Sequence, residues 1–426
     1  MSHPKDRIPP LSRREFLRRA AMTGVAVPGL AAILAACGSD DGNAGGASGS
    51  SPTTAGLQLA RPDDPVTLAI TEDNPAIADG LSPEAGPLKI FGYNDYVWKK
   101  VRNQFSDRYG VDVEYTVFDT PDEMVSKMQS NGSDFDILVT VTLENVGKLA
   151  QGGLIQPLNK AYLPTFEDQL WTGIPDFYDV GRQYSAPYVV FTTGISWRND
   201  MLDFDPSKMD QPWDAFWSKQ AEKYRGKVAV LDDSREAPGM ALMRRGVTDL
   251  NTENPELLHQ AVADLKELNN KVGVKVSIAD YETVPAGRVL LHQGWSGDMI
   301  AGVISYMPKG VKPDVLSYWY QTQGGPIFND CICVAADAAK PVIAHRFLNY
   351  ILDNKVAYDN FAGYVGYQPP INAIDGSKLF SDGILPKTLS QAVVTREAFA
   401  NGNAYLTLSA KGLQLWDRTW ASFHNG

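Results

Sequence analysis

The pattern of apolar and polar positions changes repeatedly along the chain from residue 88 onward. Short runs with apolar residues at every position or every second position predict strands, and apolar residues three or four positions apart predict helices. The two kinds of stretch alternate, which is typical of a largely parallel sheet with helices on both faces. The first series predicts strands over 88–91, 111–117 and 135–140 and helices over 95–109, 121–129 and 144–151, with Asp95 as the first N-cap.

A second α/β series follows a long extended segment over 185–196, which is suited to crossing between two halves of a molecule. The length of 426 residues also favours two domains, because one hydrophobic core rarely grows beyond about 250–300 residues. The second series predicts helices over 213–217, 237–245, 255–271 and 341–352 and strands over 227–231, 288–292, 316–320 and 327–334.

Composition and charge narrow the class of protein. Hydrophobic residues make up 44% and charged residues 21% of the chain, as in ordinary globular proteins. A formal net charge of −11 argues against binding nucleic acid, because such a protein must neutralise phosphates. Three cysteines exclude a disulfide-stapled scaffold. Cys331 and Cys333 share one face of a predicted strand, where we expect two buried thiols, with a metal or redox pair as the alternative.

The N-terminus carries the features of an export signal. Basic residues including Arg13 and Arg14 precede a short apolar run over 20–36, which ends in small residues before Cys37. The paired arginines resemble a twin-arginine signal, and residues 34–37 resemble a lipoprotein cleavage box that would make Cys37 the lipidated first residue. We therefore predict a signal peptide over 1–36, whose removal leaves a net charge of −15, and a location on the outer face of the cell membrane or in the periplasm.

Residues 37–87 predict a connection between this anchor and the folded body. The part up to Gly56 is rich in Gly and Ser, a composition typical of a flexible tether. Prolines recur between 57 and 87, which predicts an extended lead-in that wraps the body.

Sequence motifs of catalysis are absent. The chain contains no Gly-x-Ser-x-Gly elbow, no phosphate-binding loop of the Gly-x-x-x-x-Gly-Lys type and no His-Glu-x-x-His pair, and its five histidines are scattered. We therefore predict no enzyme activity, no metal site and no cofactor.

Aromatic and acidic residues instead cluster in the turns that follow predicted strands, where ligands bind to α/β sheets. Each such residue has a structural explanation when taken alone, for example an aspartate as an N-cap. Taken together, they fit an elongated cation, because carboxylates bind ammonium groups and flat rings pack on methylenes. The number of acids favours an amine, although sugar sites also combine aromatic and polar groups. The five acids are Asp95, Asp233, Glu236, Asp298 and Asp330.

An ordered series of these segments resembles the bacterial spermidine/putrescine-binding proteins of ABC importers. The resemblance extends over most of 88–375, and its recognisable segments are 93–96, 118–128, 185–188, 193–194, 232–236, 295–298, 328–330 and 363–367. It implies an α/β fold of the two-lobe, type II periplasmic-binding-protein kind, with a ligand cleft between lobes joined by crossing strands. The implied lobes are 88–190 with 320–368, and 191–319 with 369–426.

The same resemblance implies a role for each cleft residue. Asp330 would hold one ammonium, Phe328 and Trp295 would sandwich the methylene chain, and Asp233 and Glu236 would bind an amine at the other end. An extra acid at Glu144 would accept another amine or face water. The implied ligand-binding set is Tyr93, Asn94, Asp95, Tyr96, Thr142, Glu144, Asp233, Glu236, Trp295, Asp298, Phe328, Asp330 and Tyr367.

The resulting hypothesis is a monomeric, lipid-anchored receptor that delivers a polyamine to an ABC permease in the membrane. One alternative keeps the fold and changes the cargo to a sugar, an amino acid or another small cation. A twin-arginine-exported enzyme and an exported adhesion or scaffold protein are the alternatives from other classes.

Overall fold

The computed structural model describes residues 53–54, 57–118, 120–130 and 134–424 of the chain. The predicted signal peptide over 1–36, the predicted lipidation residue Cys37 and the tether up to residue 52 lie outside these residues. Across the described ranges, no helix is both long enough and apolar enough to span a membrane.

The described strands form a two-stranded pair and one mixed sheet of ten strands. In chain order they are β1 (Thr53–Thr54), β2 (Leu57–Gln58), β3 (Leu88–Gly92), β4 (Val113–Val117), β5 (Ile137–Thr142), β6 (Ala186–Arg198), β7 (Val228–Val230), β8 (Lys275–Val276), β9 (Leu291–Trp295), β10 (Leu316–Trp319), β11 (Pro326–Val334) and β12 (Asn403–Ala404).

The sheet has the order β4-β3-β5-β11-β6-β9-β7-β8, with β10 also paired to β6 and β12 to β11. Its two outer parts are parallel, and antiparallel pairs join them through the centre. The long strand β6 pairs with β11 through residues 186–192 and with β9 through 193–197. This strand therefore crosses from a first lobe, built on β3–β5, to a second lobe, built on β7–β10, and the α/β fold with crossing strands is confirmed.

Helices cover both faces of the sheet. In chain order they are α1 (Lys99–Tyr109), α2 (Pro121–Gln129), α3 (Leu143–Gln151), α4 (Phe166–Gln169), α5 (Lys219–Glu222), α6 (Glu236–Arg244), α7 (Pro255–Val272), α8 (Asp280–Thr283), α9 (Ser296–Ala301), α10 (Pro341–Ile351), α11 (Asn354–Asn360), α12 (Lys378–Ser381), α13 (Arg396–Ala400) and α14 (Ala410–His424). Short 3-10 turns lie at Lys160–Tyr162, Pro206–Lys208, Pro212–Trp217, Pro313–Val315 and Lys387–Ala392, and π-helical turns at Gly302–Tyr306 and Phe361–Val365.

Two details of the predicted elements were wrong. Asp95 is not an N-cap, because α1 begins at Lys99 after Trp98 and Asp95 adopts a φ of 62° in the preceding turn. The strand predicted over 288–292 begins three residues later, as β9 from Leu291 to Trp295. Residues 288 and 289 instead form a turn, in which the N–H groups of Arg288 and Val289 donate to the Thr283 carbonyl. Both errors have the same cause: residues that fit the pattern of the following helix or strand form a turn before it.

Separate clusters of buried side chains support the two lobes. In the first, Val101 and Phe105 of α1 pack with Ile137 of β5. In the second, Leu258 and Leu265 of α7 pack in a cluster with aromatic and aliphatic residues such as Trp213 and Trp416. The predicted helical spacing of apolar residues on α7 thus corresponds to its buried face.

Cys331 and Cys333 are both buried and free on β11, as predicted. They lie in the same cluster, whereas the intervening Ile332 packs on the opposite side of the strand. Burial raises the pKa of both thiols, so they behave as small apolar side chains.

The lead-in segment, residues 57–87, packs along the first lobe. Val66 and Leu68 are buried, and the Val66 N–H donates to the Phe177 carbonyl at 2.7 Å. At the end of the segment, the Glu84 carboxylate accepts hydrogen bonds of 3.0 Å from the N–H groups of Val342 and Ile343. These donors belong to the first turn of α10, so a residue of the lead-in caps a helix of the body.

Replacing Glu84 by Gln tests this cap. The variant loses a negative charge at a helix N-terminus and part of its hydrogen bonding, so we expect a loss of about 1 kcal/mol in the free energy of unfolding. Denaturant titration of the variant beside Glu72→Gln, an exposed acid in the same segment, measures the effect. Equal stability of the two variants would show that the lead-in does not hold α10.

Candidate functional site

A cleft of about 1880 Å³ opens between the two lobes. All thirteen side chains of the predicted ligand-binding set line it, although they are spread from residue 93 to residue 367. Typical small-molecule pockets measure about 300–1,000 Å³, so this cleft is wider than one small ligand requires.

The topology explains this convergence. The residues after β3 and after β5 lie at the carboxyl ends of parallel strands in the first lobe, and those after β7 and β9 lie at the corresponding ends in the second lobe. The 328–330 segment of β11 lies between them, because Asp330 is in register with Thr142 on one side and Val189 on the other. Each lobe therefore brings its strand-end turns to the same edge, as expected for an α/β sheet.

Glu236 is the first of three buried carboxyls in the cleft wall. It opens α6, is 2% exposed, and accepts hydrogen bonds from Thr193 Oγ1 at 2.7 Å and from Trp295 Nε1 at 2.9 Å. Burial, followed by the negative charge of Asp233, raises the pKa of Glu236 to about 8. Its donors come from two adjacent strands, β6 and β9, which fixes the carboxyl group in one position.

Asp330 is the second buried carboxyl; it is 2% exposed and lines the cleft from β11, between β5 and β6. Burial, followed by the charge of Glu144, raises its pKa to about 7. Its Oδ1 atom has no hydrogen-bond partner among the described residues. A buried acceptor without a donor is costly, so this atom is suited to receive one from a ligand.

Asp298 is the third, in the first turn of α9, and it is 5% exposed. The Tyr367 hydroxyl donates to Asp298 Oδ1 at 2.7 Å. Burial raises the pKa of Asp298, whereas hydrogen bonds from Asp280 and Tyr367 act in the opposite direction.

Aromatic rings form the floor between these carboxyls. The ring of Phe191 on β6 stacks on Phe328 of β11, with centroids 4.6 Å apart and planes at 4°. The same ring meets Tyr367 edge-on at 5.1 Å and Trp295 at 6.3 Å. Trp295 and Phe328 remain partly exposed, so their apolar surface faces the cleft.

Polar residues of the first lobe already have partners within the protein. The Asp95 carboxylate accepts from the hydroxyls of Tyr306 at 2.6 Å and Tyr364 at 3.0 Å, and from Asn94 Nδ2 at 3.0 Å. Thr142 Oγ1 accepts from Asn145 Nδ2. Asp95 thus links the two lobes through Tyr306.

Two of the predicted acids are also engaged. Asp233 Oδ1 accepts from the N–H groups of Arg235 and Glu236 at 2.7 and 3.0 Å, so this atom holds the start of α6. Glu144 Oε2 lies 3.7 Å from Arg235 Nη1, across the cleft from the second lobe. The sequence predicts either an ammonium ligand or a solvent-facing acid at Glu144, and it does not predict this ion pair with Arg235.

The sequence interpretation missed several cleft residues. The sequence pattern places Phe191 only in a crossing segment, whereas its register opposite Phe328 puts both rings on one face of adjacent strands. Arg235 was not predicted as a site residue despite its place between Asp233 and Glu236. Tyr281, Tyr306 and Tyr405 lie in stretches without a motif, and only the folded chain brings them to the cleft.

The charge of the cleft wall indicates the kind of ligand that fits. Among the described residues, nine acidic side chains line it, against the two cations Lys127 and Arg235 and one histidine. Fixed carboxylates next to aromatic faces match a ligand that has positive ends and an apolar middle.

Comparison with known proteins agrees with this geometry. The curated relatives include the spermidine/putrescine-binding periplasmic protein of Escherichia coli (strain K12), which is 26% identical over 299 residues, covering 69% of this chain and 82% of the relative. The putrescine/cadaverine-binding protein of Pseudomonas aeruginosa is 24% identical over 277 residues, covering 64% of this chain and 76% of the relative.

Solved structures share the fold. A putative spermidine/putrescine ABC transporter from Listeria monocytogenes superposes with a TM-score of 0.66 at 24% identity, covering 80% of this chain and 99% of the other. A lipoprotein of Treponema pallidum gives 0.64 at 18% identity, covering 79% and 98%. The family model described as bacterial extracellular solute-binding protein matches residues 100–386, which is more than half of the chain, and the protein therefore belongs to that family.

Proposed function

We propose that this protein is the solute-binding receptor of an ABC importer and that its cargo is a polyamine such as putrescine. The ligand would lie along the cleft floor, with its methylenes on Trp295, Phe191 and Phe328 and its ammonium groups at the buried carboxyls. The protein would carry out no catalysis, and its task would be to bind the cation and deliver it to a permease.

The observation that carries the proposal is the buried Oδ1 atom of Asp330, which has no hydrogen-bond partner among the described residues and lies in the wall of an acidic, ring-lined cleft. Burying a cation requires an opposite charge at hydrogen-bond distance, because an unpaired buried charge costs several kcal/mol. The charge-assisted hydrogen bond of an ammonium would satisfy this atom and neutralise the carboxylate at the same time. A sugar or another neutral solute would satisfy only the hydrogen bond.

The width of the cleft supports a change of shape on binding. A cleft of about 1880 Å³ leaves a diamine in contact with water on one side. Movement of the lobes toward each other would bring Asp298, Trp295 and Glu236 of the second lobe onto a ligand already lying against Asp330. The lobe boundaries that we propose are 88–190 with 320–368 and 191–319 with 369–426.

The export features complete the proposal. A twin-arginine signal over 1–36 would carry the chain out of the cytoplasm, and a lipid on Cys37 would anchor it to the outer face of the membrane beside its permease. The receptor would act as a monomer. The acidic charge of the mature chain suits a cationic cargo.

A panel of ligands in a thermal-shift assay tests the cargo. A ligand at 100 times its dissociation constant stabilises the folded state by about 2.7 kcal/mol. We expect putrescine, cadaverine or spermidine to raise the melting temperature, while neutral sugars and zwitterionic amino acids leave it unchanged. Stabilisation by a sugar or amino acid without any response to polyamines would replace the proposed cargo with that solute.

Removing a buried charge tests the site. We expect Asp330→Asn and Glu236→Gln each to weaken putrescine binding about ten-fold or more, because each loses a charge-assisted hydrogen bond worth ~1.5–3 kcal/mol. Calorimetry gives the affinities, and Asp107→Asn, an exposed acid on α1, is the control for charge alone. Unchanged affinity in both cleft variants would rule out the assignment.

The raised pKa values predict a pH dependence of binding. Glu236 and Asp330, with pKa values of about 8 and about 7, hold protons at pH 6, and a cation binds only their ionised forms. The ammonium groups of the ligand stay protonated throughout, since amines of the lysine type titrate near 10.4. We therefore expect putrescine affinity to fall at least about ten-fold between pH 8.5 and pH 6.

The stability of the ligand-free protein should depend on pH in the opposite direction to ligand binding, and it therefore serves as a control. Because both pKa values are raised above those of the unfolded chain, the folded state binds more protons, and its free energy of unfolding should fall as pH rises toward 8. A putrescine affinity that does not change from pH 6 to pH 8.5 would show that these carboxyls do not contact the cation.

A further inference from the structure

Behind Asp298 lies a second carboxyl that no sequence motif indicates. Asp280 opens α8 and is 0% exposed, and neither of its carboxyl oxygens has a hydrogen-bond donor in good geometry among the described residues. The carboxyl packs against Gly294 of β9, where a Cβ atom would collide with it. A buried carboxylate without donors is unfavourable, so the position needs a physical explanation.

The partner of Asp280 is Asp298 itself. Helix α8 packs against α9, which carries Asp298, and the two carboxyls lie close enough to share a hydrogen bond once one of them holds a proton. Burial, followed by the charge of Asp298, raises the pKa of Asp280 well above its usual value. A hydrogen bond between two carboxyl groups requires one proton, since two ionised carboxylates at this distance repel each other. The Tyr367 hydroxyl also donates a hydrogen bond to Asp298, at Oδ1.

We propose that Asp280 is a positioning residue that keeps a proton and donates it to Asp298, so that the pair presents one negative charge to one ammonium group. The inference rests on the proposed function and adds a residue that lies outside the cleft lining. Asp298 would then be held as an anion by two donors, Asp280 and Tyr367, with its remaining lone pairs free for the ligand.

The surroundings agree with this division of roles. No described Lys, Arg or His lies within salt-bridge distance of either carboxyl, so the protein supplies no cation of its own. The other titratable groups near the pair are Tyr281 on α8, Tyr318 on β10, Tyr96 after β3, Tyr367, and the more distant carboxyls Asp95, Glu236 and Asp330. His292 on β9 is neutral, because burial lowers its pKa to about 4.

A charge count gives the functional consequence. If both members of the pair were ionised, one ammonium would leave a negative charge buried and unpaired, which the interior disfavours. If both were protonated, no anion would meet the ligand. One shared proton matches this end of the cleft to one primary ammonium group.

Two substitutions in the full chain separate proton donation from simple packing. Asp280→Asn keeps a donor of similar shape but cannot ionise, so we expect putrescine affinity within about three-fold of wild type. Asp280→Leu fills the space without a donor, so Asp298 should hold its own proton, and affinity should fall about ten-fold or more at pH 7. That loss should shrink as the pH is raised to 9, because Asp298 then ionises unaided.

A packing role predicts another pattern: both substitutions would weaken binding alike, by an amount that does not vary with pH. That result, or wild-type affinity in Asp280→Leu, would overturn the inference. Failure of the proposed function is distinguishable, since the wild-type protein would then bind no diamine at all.

Infrared spectroscopy of the wild-type protein keeps the test independent of folding in Asp280→Leu. With putrescine bound at pH 9, Glu236 and Asp330 should be ionised, and one protonated carboxylic acid should remain. We expect its carbonyl band in wild type and not in Asp280→Asn. Identical carbonyl spectra for the two proteins would contradict a proton on Asp280.

Discussion

The cost of holding negative charge out of water is the constraint on which the rest of the site depends. Glu236, Asp298 and Asp330 are almost fully buried in the cleft wall, and burial raises the pKa of each. Such groups have three ways to remain buried: a proton, a hydrogen-bond donor or a cation. Protein donors serve Glu236 and Asp298, whereas no described residue donates to Asp330 Oδ1. The cleft is thus prepared for a ligand that brings its own positive charge.

The fold supplies this arrangement by dividing the site between the central strands and the helices of the second lobe. The aromatic floor stands on β6 and β11, two adjacent strands in the middle of the sheet. The carboxyls of Glu236 and Asp298 stand on short helices that follow strands of the second lobe. Polar contacts across the cleft include those of Tyr306 with Asp95 and of Arg235 with Glu144.

The acidic residues of the cleft are of two kinds that cannot be distinguished in the sequence: those paired within the protein and those with an oxygen left for a ligand. Asp95 and Glu144 meet tyrosine hydroxyls and an arginine, so their charge is largely used within the protein. Asp330 keeps a carboxyl oxygen without a hydrogen-bond partner among the described residues, and in our proposal Asp298, held by Asp280 and Tyr367, keeps acceptor capacity toward the cleft. The relatives named for spermidine, putrescine and cadaverine are 24–26% identical to this chain, which leaves ample room for such differences in ligand length.

Periodicity and turn residues predicted the series of elements and the α/β class, because local patterns record which face of each strand or helix is buried. The ordered motifs, through the family that they resemble, supplied the two-lobe arrangement and the thirteen predicted ligand-binding residues, all of which line the cleft. Only the tertiary structure decided which acids of the cleft have partners within the protein and which have an oxygen left for a ligand. Asp280 and Asp298 lie eighteen positions apart, and Arg235 meets Glu144 only through the folded sheet. Proton sharing and ion pairing depend on distances of a few ångströms between residues remote in sequence. No local pattern encodes such distances.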